Sequence, residues 1–512
     1  MTHFLSTLTH YPQVFVDRIG MYRTVTLALL ALLVCSLVAG GFGWLAYNPI
    51  IQLQAVVPAL VIGLLLNIGV AKLLRVHANH ESVVITALIL FFLVIPAASL
   101  VGNWALFAAV VVAVLSKFIL VYKKQHIFNA AAIGAVALSL PGFYEFSWWV
   151  SNPALFVPIL ILGGLVVLKI RKWTPVLWFI AIGLIVFLFE EWRFLGLDFS
   201  YWSSFQTFFL SWPTLFLAFF MLTEPFTMPA TKTAQAWYGA IVGGLANTAF
   251  FVPFFAMSPE LALLMGNLAV YPFRLRQKLF LKFISKREIG DSTYEFIFKK
   301  PDNFTFIAGQ YLEWMLPHKA DGRGERRYFT IASSPTENEV RLALKVIDNG
   351  STYKKKLMAL QPGDEIICSQ LSGDFLLPKD ITKKLGFIAG GIGVTPFSSH
   401  LQYMADCNKP FDTALLYCAN TTAELAYYDE FKKIAAAIPL NVIPVIAKET
   451  VSHPMAEGFV TRELLEARVP DFVERYWYLS GPAPMVNAYD ALLRKNGVPT
   501  GQIVKDFFPG LA

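Results

Sequence analysis

Charged residues are spread so unevenly along this chain that a single kind of fold cannot hold all of it. Residues 1–273 contain 12 Lys/Arg and 8 Asp/Glu, whereas the remainder contains 30 and 27. A domain in water needs a polar surface, so the first part lacks what a soluble domain requires and the second part has it. The hydrophobic content of 56% is therefore the average of two unlike regions. The formal net charge of +7 divides as +4 and +3 with no concentrated basic run, which argues against a nucleic-acid partner. Cys35, Cys368, Cys407 and Cys418 stand far apart. That spacing argues against a thiolate metal or iron-sulfur site and against a disulfide framework. Met1 to Arg23 is polar and mixed, so no cleavable leader is expected.

Residues 1–273 are expected to be a polytopic all-α membrane domain. About 20 apolar residues cross a bilayer, and ten candidate spans follow: 24–47, 54–73, 83–99, 104–122, 127–144, 152–169, 173–192, 203–222, 235–256 and 258–273. Basic residues collect before the first span and after each even one: Arg18 and Arg23, Lys72 and Arg75, Lys123 and Lys124, Lys169, Arg171 and Lys172, Lys232, then Arg274, Arg276 and Lys278. Cytoplasmic loops gather such residues, so the even loops and the C-terminal half are placed inside the cell, at a cell inner membrane in contact with lipid. An internal repeat is expected at an offset of about 130 residues, although any two helices rich in Ala, Leu and Gly align about this well. Phe128 to Leu138 lines up with Glu260 to Val270, placing Gly134 over Gly266, and the span broken at Pro96 resembles the one broken at Pro225. Five spans between copies make the repeat an inverted one, the arrangement that brings broken helices and their ligand sites together near a membrane midplane.

Polar residues inside such a domain need a reason. Asn129, Thr223 and Glu224 are the candidates for a membrane flavin or ion site, although Asn129 also reads as a helix-start amide and Glu224 as a solvated helix end. Past the N-terminal segment the only histidines of this half are His77, His80 and His126, all near loops, which disfavours a transmembrane haem pair. The strings HIFNAAAIGAVAL and FFMLTEPFTMPATKTAQAWYGAIVGG resemble the family formed by the D-type membrane component of Rnf complexes and the B-type membrane component of the sodium-pumping NADH:quinone oxidoreductase, over roughly residues 20–272. That family has ten helices in an inverted repeat and attaches FMN to a threonine in an Asp-x-x-Ser/Thr-x-Ala-Thr sequence. Its nearest counterpart here, Pro229-Ala230-Thr231, lies in a different segment, so the resemblance leaves a non-covalent FMN or riboflavin.

From Lys282 the pattern changes to short alternating runs broken by Gly and Pro, then from about Leu385 to apolar strands alternating with helices. YEFIFKK, QYLEWML, RRYFTIA and VRLALKVI read as antiparallel barrel strands, and LGFIAG, DTALLYCAN, NVIPVIA and YWYLSG as parallel ones. Gly390, Gly391, Gly393, Val394, Thr395 and Pro396 follow an apolar strand and precede a helix, where backbone N–H groups can approach a pyrophosphate; a plain tight turn has the same look. On one strand Arg327 and Phe329 share a side while Thr330 points to the other. An arginine fork suits a diphosphate, a ring a stacking face, and a hydroxyl a flavin nitrogen. Gly350, Ser351 and Thr352 open a helix as a second phosphate cradle or an N-cap.

AGQY, RYFTIASSP, NGSTYKKKL, AGGIGVTP and SGPAPMV occur in the order and spacing of the ferredoxin-NADP reductase superfamily, which the chain resembles over residues 280–512. The resemblance implies an FAD-binding β-barrel domain over 280–380 and an NAD(P)-binding α/β domain over 381–512. Arg327, Phe329 and Thr330 would bind FAD, Gly350, Ser351 and Thr352 its diphosphate, and Gly390 to Pro396 with Gly481, Pro482 and Met485 the pyridine nucleotide. Thr330, Ser480 and Phe508 are the implied catalytic positions; Ser480 stands where the family usually has Cys, and Phe508 belongs to the segment whose ring covers the flavin. The stretch after Cys418 lacks an arginine for a 2′-phosphate, which favours NADH over NADPH. The function expected is a membrane-bound NAD(P)H oxidoreductase passing electrons through FAD into the membrane domain, to a membrane flavin or a quinone, with ion translocation as a further step. Its rivals are electron export to an outside acceptor in the manner of ferric reductases, a membrane-anchored flavin reductase, and a redox-sensing transporter.

Overall fold

The computed structural model describes residues 19–76, 79–122, 125–229, 231–248, 251–252, 255–273, 278–347 and 350–507. They form two compact units, one of helices ending at Lys278 and one of sheets starting at Leu279, less Gly322–Gly324. Arg18, His77, Lys123, Lys124, Ala230, Arg274, Arg276 and Phe508 lie outside the described residues.

In the helical unit α1 (Met21–Gly41), α2 (Pro49–Leu74), α3 (His80–Leu93) and α4 (Trp104–Ile119) lead to a hairpin, β1 (Val121–Tyr122) with β2 (Gln125–His126), and then to the short α5 (Ala130–Ser139). The pattern recurs: α6 (Pro153–Ile170), α7 (Trp173–Leu195), α8 (Tyr201–Leu210), α9 (Thr214–Met221) and α10 (Lys232–Ala246) lead to β3 (Phe251–Val252) with β4 (Phe255–Ala256), and then to α11 (Pro259–Val270). Val121 and Phe251, which open the two hairpins, are 130 positions apart. Gly134 and Gly266 also do the same job in each copy. A Cβ on Gly134 would sit 2.4 Å from the carbonyl oxygen of Ala109 on α4, and one on Gly266 would sit 2.2 Å from Val242 on α10. Each short helix can thus press against the longer helix before it only because the side chain is missing.

Helix α2 buries largely what a helix in water exposes. On α2 the buried stripe is Gln52, Ala55, Ala59, Gly63, Asn67 and Ala71, small or polar, with Val56 beside it, while Ile50, Leu53, Val57, Val61, Leu65 and Ile68 are exposed. Gln52 is fully satisfied, donating to the carbonyls of Ser36 and Tyr47 at 3.0 and 2.8 Å and accepting from Ser36 Oγ at 2.8 Å. On α10, Gly239 and Gly243 stand four apart, and Cβ atoms there would lie 2.1 and 2.4 Å from the carbonyls of Pro175 and Phe179, four apart on α7. Small residues at that spacing let two backbones touch, the packing favoured where no water drives helices together.

Each of the ten candidate stretches, several of them short enough to be read as tilted or broken, contains a helix, with α8 and α9 together in 203–222. Among the described residues four helices, Met21–Gly41, Pro49–Leu74, Pro153–Ile170 and Trp173–Asp198, are long and apolar enough to cross a membrane, or five if α8 and α9, bent by 47°, count as one. The stretches expected over 83–99, 104–122, 127–144, 235–256 and 258–273 contain helices of only 14, 16, 10, 15 and 12 residues. Hydropathy reports burial in protein as readily as contact with lipid. Every residue of α3 from Ala87 to Leu93 is buried among neighbours.

In the sheet unit β5 (Leu279–Gly290), β6 (Thr293–Lys299), β7 (Tyr311–Met315), β8 (Arg326–Thr330), β9 (Glu339–Lys345) and, after α12 (Thr352–Met358), β10 (Glu365–Ser372) form one antiparallel sheet in the order β8-β7-β10-β5-β6-β9. Just past β8, Ala332 N–H donates to the Arg341 carbonyl of β9 at 2.9 Å, so the two edges meet there. Then β11 (Leu385–Gly390), α13 (Thr395–Asp406), β12 (Thr413–Ala419), α14 (Tyr428–Ala435), β13 (Leu440–Ile446), β14 (Ala456–Glu457), α15 (Arg462–Arg468), β15 (Tyr476–Gly481), α16 (Ala483–Lys495) and β16 (Ile503–Phe507) build a parallel sheet ordered β14-β13-β12-β11-β15-β16. Strand β11 is buried at all six residues, which is why it reads as an unbroken apolar run.

Candidate active site

Strand order reverses between β11 and β15, and in open parallel sheets ligands bind outside the carboxyl ends of strands at such a point. Both glycine motifs of the sequence end there. Gly390 closes β11 and Gly481 closes β15. The glycines have different uses. A Cβ on Gly390 would strike Met485 Sδ at 2.3 Å, and one on Gly393 would strike the Ser480 carbonyl at 2.5 Å, so these two let the loops after β11 and β15 lie against each other. Gly391 has open space around it but a φ of +52°, a left-handed conformation that favours glycine. Val394 precedes α13 without capping it, and Thr395 and Pro396 open the helix, which leaves first-turn N–H groups without a side-chain acceptor at the crevice. Pro482 stands in the same capping position before α16.

Ser480 is completely buried at the end of β15, and its hydroxyl has no hydrogen-bond partner among the described residues. A buried hydroxyl left without a partner is costly, and one at a switch-point crevice fits a site whose ligand supplies that partner. Asp506 lies beside it in register on β16.

On β8 the expected alternation holds. Arg327 and Phe329 both face Tyr353 of α12, the guanidinium 5.2 Å and the phenyl ring 6.1 Å from its ring centre, while Thr330 is buried. Arg327 also reaches Asp321 at 3.6 Å. Ser351 caps α12 by accepting from Lys354 N–H at 3.4 Å, and the Thr352 hydroxyl lies 3.0 Å from both His318 Nε2 and Asp321 N–H. Gly350 precedes this cluster, where a Cβ would lie 2.9 Å from the Ile347 carbonyl. The two sequence-predicted halves of an FAD site, on β8 and at the start of α12, are therefore joined through Tyr353. Burial first of all pushes the Tyr353 hydroxyl well above its usual range, so it stays protonated and serves as a platform. An arginine fork beside aromatic faces makes a set suited to an anionic ligand that carries a ring.

Reading the sequence missed the braces behind these groups. His400 on α13 is fully buried, stacked 5.7 Å from Phe375 at 13°, with Nε2 3.2 Å from the Ala308 carbonyl; burial pushes it down to about 4 and keeps it neutral. Glu295 on β6, fully buried, accepts from Arg287 Nε at 2.6 Å and from the Tyr427 hydroxyl at 2.7 Å, tying the antiparallel sheet to the residue just before α14. A lone histidine or glutamate in an apolar strand or helix gives no sequence signal of its partner. The Gly239-x-x-x-Gly243 spacing did carry a signal, and it was legible in the string YGAIVGG.

In the helical unit the three candidates Asn129, Thr223 and Glu224 line one cavity of about 60 Å³ with Ser82, Thr86 and Tyr22. Asn129 caps α5, its Oδ1 accepting from Ala132 N–H at 3.0 Å, and its own N–H donates to Asn267 of α11 at 2.9 Å. Thr223 donates to the Phe219 carbonyl at 2.7 Å, and Glu224 Oε1 lies 3.4 Å from His126 Nε2. A water takes about 30 Å³ and organic ligands occupy pockets of about 300 Å³ or more, so this volume suits water or a small ion. Thr231, nearest counterpart of a flavin-bearing threonine, instead caps α10 at 3.4 Å to Ala234 N–H.

Residues 387–491, which contain the switch-point crevice, match the oxidoreductase NAD-binding domain family. The chain is 28% identical over 210 residues to the glycine betaine monooxygenase reductase subunit of Chromohalobacter salexigens, covering 40% of this chain and 56% of that protein. It is 27% identical over 198 residues to the NADH oxidoreductase HCR of Escherichia coli, covering 38% and 58%. Among solved structures, a ferredoxin NADP+ reductase from Neisseria gonorrhoeae with bound FAD and NADP aligns at 19% identity over 45% of this chain and 98% of that one, with a TM-score of 0.40. The chain spans little more than half the length of the two curated relatives. In its sheet unit it is similar to the NAD-binding modules of reductases.

Proposed function

We propose that the chain is a membrane-embedded NAD(P)H oxidoreductase in which the sheet unit takes electrons from a reduced pyridine nucleotide through FAD and delivers them to the helical unit. The observation that carries this reading is the crevice between β11 and β15, where both glycine loops, the uncapped α13 and the unpartnered Ser480 hydroxyl converge. FAD, when bound, supplies an acceptor for a hydride that can release electrons singly. The chain's own residues position it: Arg327 and Phe329 over Tyr353, Thr330 beside them, and Gly350, Ser351 and Thr352 at the diphosphate. At the nucleotide end Gly391 admits the backbone turn, and Pro482 and Met485 hold the second loop against the first. Thr422 to Leu425, after β12, carry Glu424 and no arginine, which supports NADH over NADPH.

The outward-facing Leu, Ile and Val of α2, set against its buried polar stripe, support a lipid environment for the helical unit. The two hairpins 130 residues apart support the inverted repeat and the likeness to the Rnf membrane component and its sodium-pumping counterpart. We read quinone as the acceptor in the membrane, and coupling to ion movement as the role of the Glu224 cavity. The test is to purify the full chain, extract its flavin and follow bleaching by NADH and by NADPH. One FAD per chain, bleached faster by NADH, is expected. Arg327→Ala should weaken FAD retention about 10- to 100-fold, the worth of a charge-assisted hydrogen bond. Colourless protein that stays unbleached after FAD is restored would sink the reading.

A further inference from the structure

The loop between β7 and β8 is tied to Thr352 at the start of α12 by a series of contacts. His318 Nδ1 lies 2.7 Å from the Leu316 carbonyl, so it carries the ring proton. That leaves Nε2, 3.0 Å from Thr352 Oγ1, to accept from the hydroxyl. The same Thr352 oxygen accepts from Asp321 N–H at 3.0 Å. The Asp321 side chain then turns back on the helix. Its Oδ2 accepts from Thr352 N–H at 3.2 Å, and its Oδ1 lies 3.6 Å from Arg327 Nη2. One carboxylate therefore bridges Arg327 and Thr352, two of the residues given above to FAD and its diphosphate.

We propose that Asp321 is an internal competitor of the dinucleotide: its carboxylate holds Arg327 and the Thr352 N–H, and FAD binds by displacing it. The proposal rests on the FAD assignment above and adds the residue that sets how tightly the cofactor is kept. Charge decides the sign of the effect. A carboxylate and a diphosphate are both anions, and two anions drawn to one guanidinium repel each other at that range. Arg327 does not depend on Asp321 for its place, because its guanidinium sits 5.2 Å over the Tyr353 ring and Nη1 donates to the Arg326 carbonyl at 2.8 Å. Glycines at 322 and 324 follow Asp321 in the loop, and their wide backbone freedom suits a segment whose carboxylate must swing out. A residue that only aimed Arg327 at the cofactor would weaken binding when removed. A competitor strengthens it.

The test titrates FAD into the full chain, purified in detergent and stripped of flavin, and reads the change in flavin fluorescence. Asp321→Asn keeps the shape and loses the charge, and Asp321→Ala removes the group. Each should bind FAD about tenfold more tightly than the wild type, the worth of one charge-assisted hydrogen bond. Inorganic pyrophosphate serves as the probe for the diphosphate alone. It should raise the thermal midpoint of flavin-free Asp321→Ala at concentrations that leave the wild type unmoved. FAD affinity equal to or weaker than that of the wild type in both variants would overturn the proposal and make Asp321 a positioning residue for Arg327. Failure of every form, the wild type included, to take up FAD would sink the cofactor reading itself. The pyrophosphate titration then still decides what Asp321 does, since equal shifts in the wild type and Asp321→Ala would overturn the competition.

Discussion

Helix α2 and strand β11 are both apolar runs, yet they hide opposite things. Strand β11 buries every residue it has and leaves polar work to the loop that follows. Helix α2 buries Gln52 and Asn67 and turns Ile50, Leu53, Val57, Val61, Leu65 and Ile68 outward. One rule serves both: a side chain is hidden from the solvent that tolerates it least, and the sign of the rule reports the solvent. The glycines follow suit. Gly390 and Gly393 let two loops close over a crevice, whereas Gly239 and Gly243 let two helices touch along their length.

The comparison breaks first, and most completely, at those helix glycines. A Cβ on Gly239 meets the Pro175 carbonyl at 2.1 Å, and backbone cannot swing away as a flexible side chain can. Gly239→Ile is expected to push α10 off α7 and abolish extraction of a monodisperse protein, an overpacking cost above about 3 kcal/mol. Size-exclusion profiles after solubilisation give the readout, and a wild-type profile would show that the contact does not organise the helical unit.

A smaller and more pointed effect comes from placing the same charge on exposed apolar positions of the two units. Leu65 is 66% exposed on α2 and Ile381 is 51% exposed before β11. If lipid surrounds α2, Leu65→Lys costs about 3 kcal/mol near the centre of a span. Ile381→Lys, facing water, stays within about 0.5 kcal/mol of the wild type. Equal tolerance of the two substitutions, measured as yield in the membrane fraction and thermal stability, would remove the case for a lipid-facing helix.

How much of this was legible in the sequence follows the same division. The four inner strands of the parallel sheet were, because burial dictates their composition, while its edge strands β14 and β16 were not; the glycines at the ends of β11 and β15 were, because backbone space requires them there. Strand β5 and strand β10 were not: KFISKREIG and EIICSQLS are half-exposed at sheet positions where charged and hydroxyl residues dilute the alternation. In the helical unit the repeat could be read from Gly134 and Gly266. The lengths of its helices could not, since α3 is as apolar as a membrane span only because protein encloses it. Nor did any pattern announce that Lys117, on one helix, would be held by Ser82 and Thr86 of another.

The smallest effect sharpens what burial means on the water-soluble side. His400 is fully enclosed and held down to about 4, against an ordinary value near 6.5. In the unfolded chain it gains a proton as the pH falls below about 6.5, while in the folded chain it resists until about 4. The unfolded state therefore binds more protons across that window, and stability declines as pH drops through it, by roughly 3 kcal/mol in total, with no further contribution above 6.5 or below 4. His400→Phe keeps a ring against Phe375 and removes the titration. It forfeits the Ala308 contact, a loss that does not vary with pH. The variant should be less stable than the wild type at neutral pH and lose less on acidification, so that the two unfolding midpoints of the sheet unit converge between pH 6.5 and pH 4. Midpoints that fall in parallel would mean that the imidazole is protonated inside the folded unit, and that water reaches the contact between α13 and the Ala308 carbonyl.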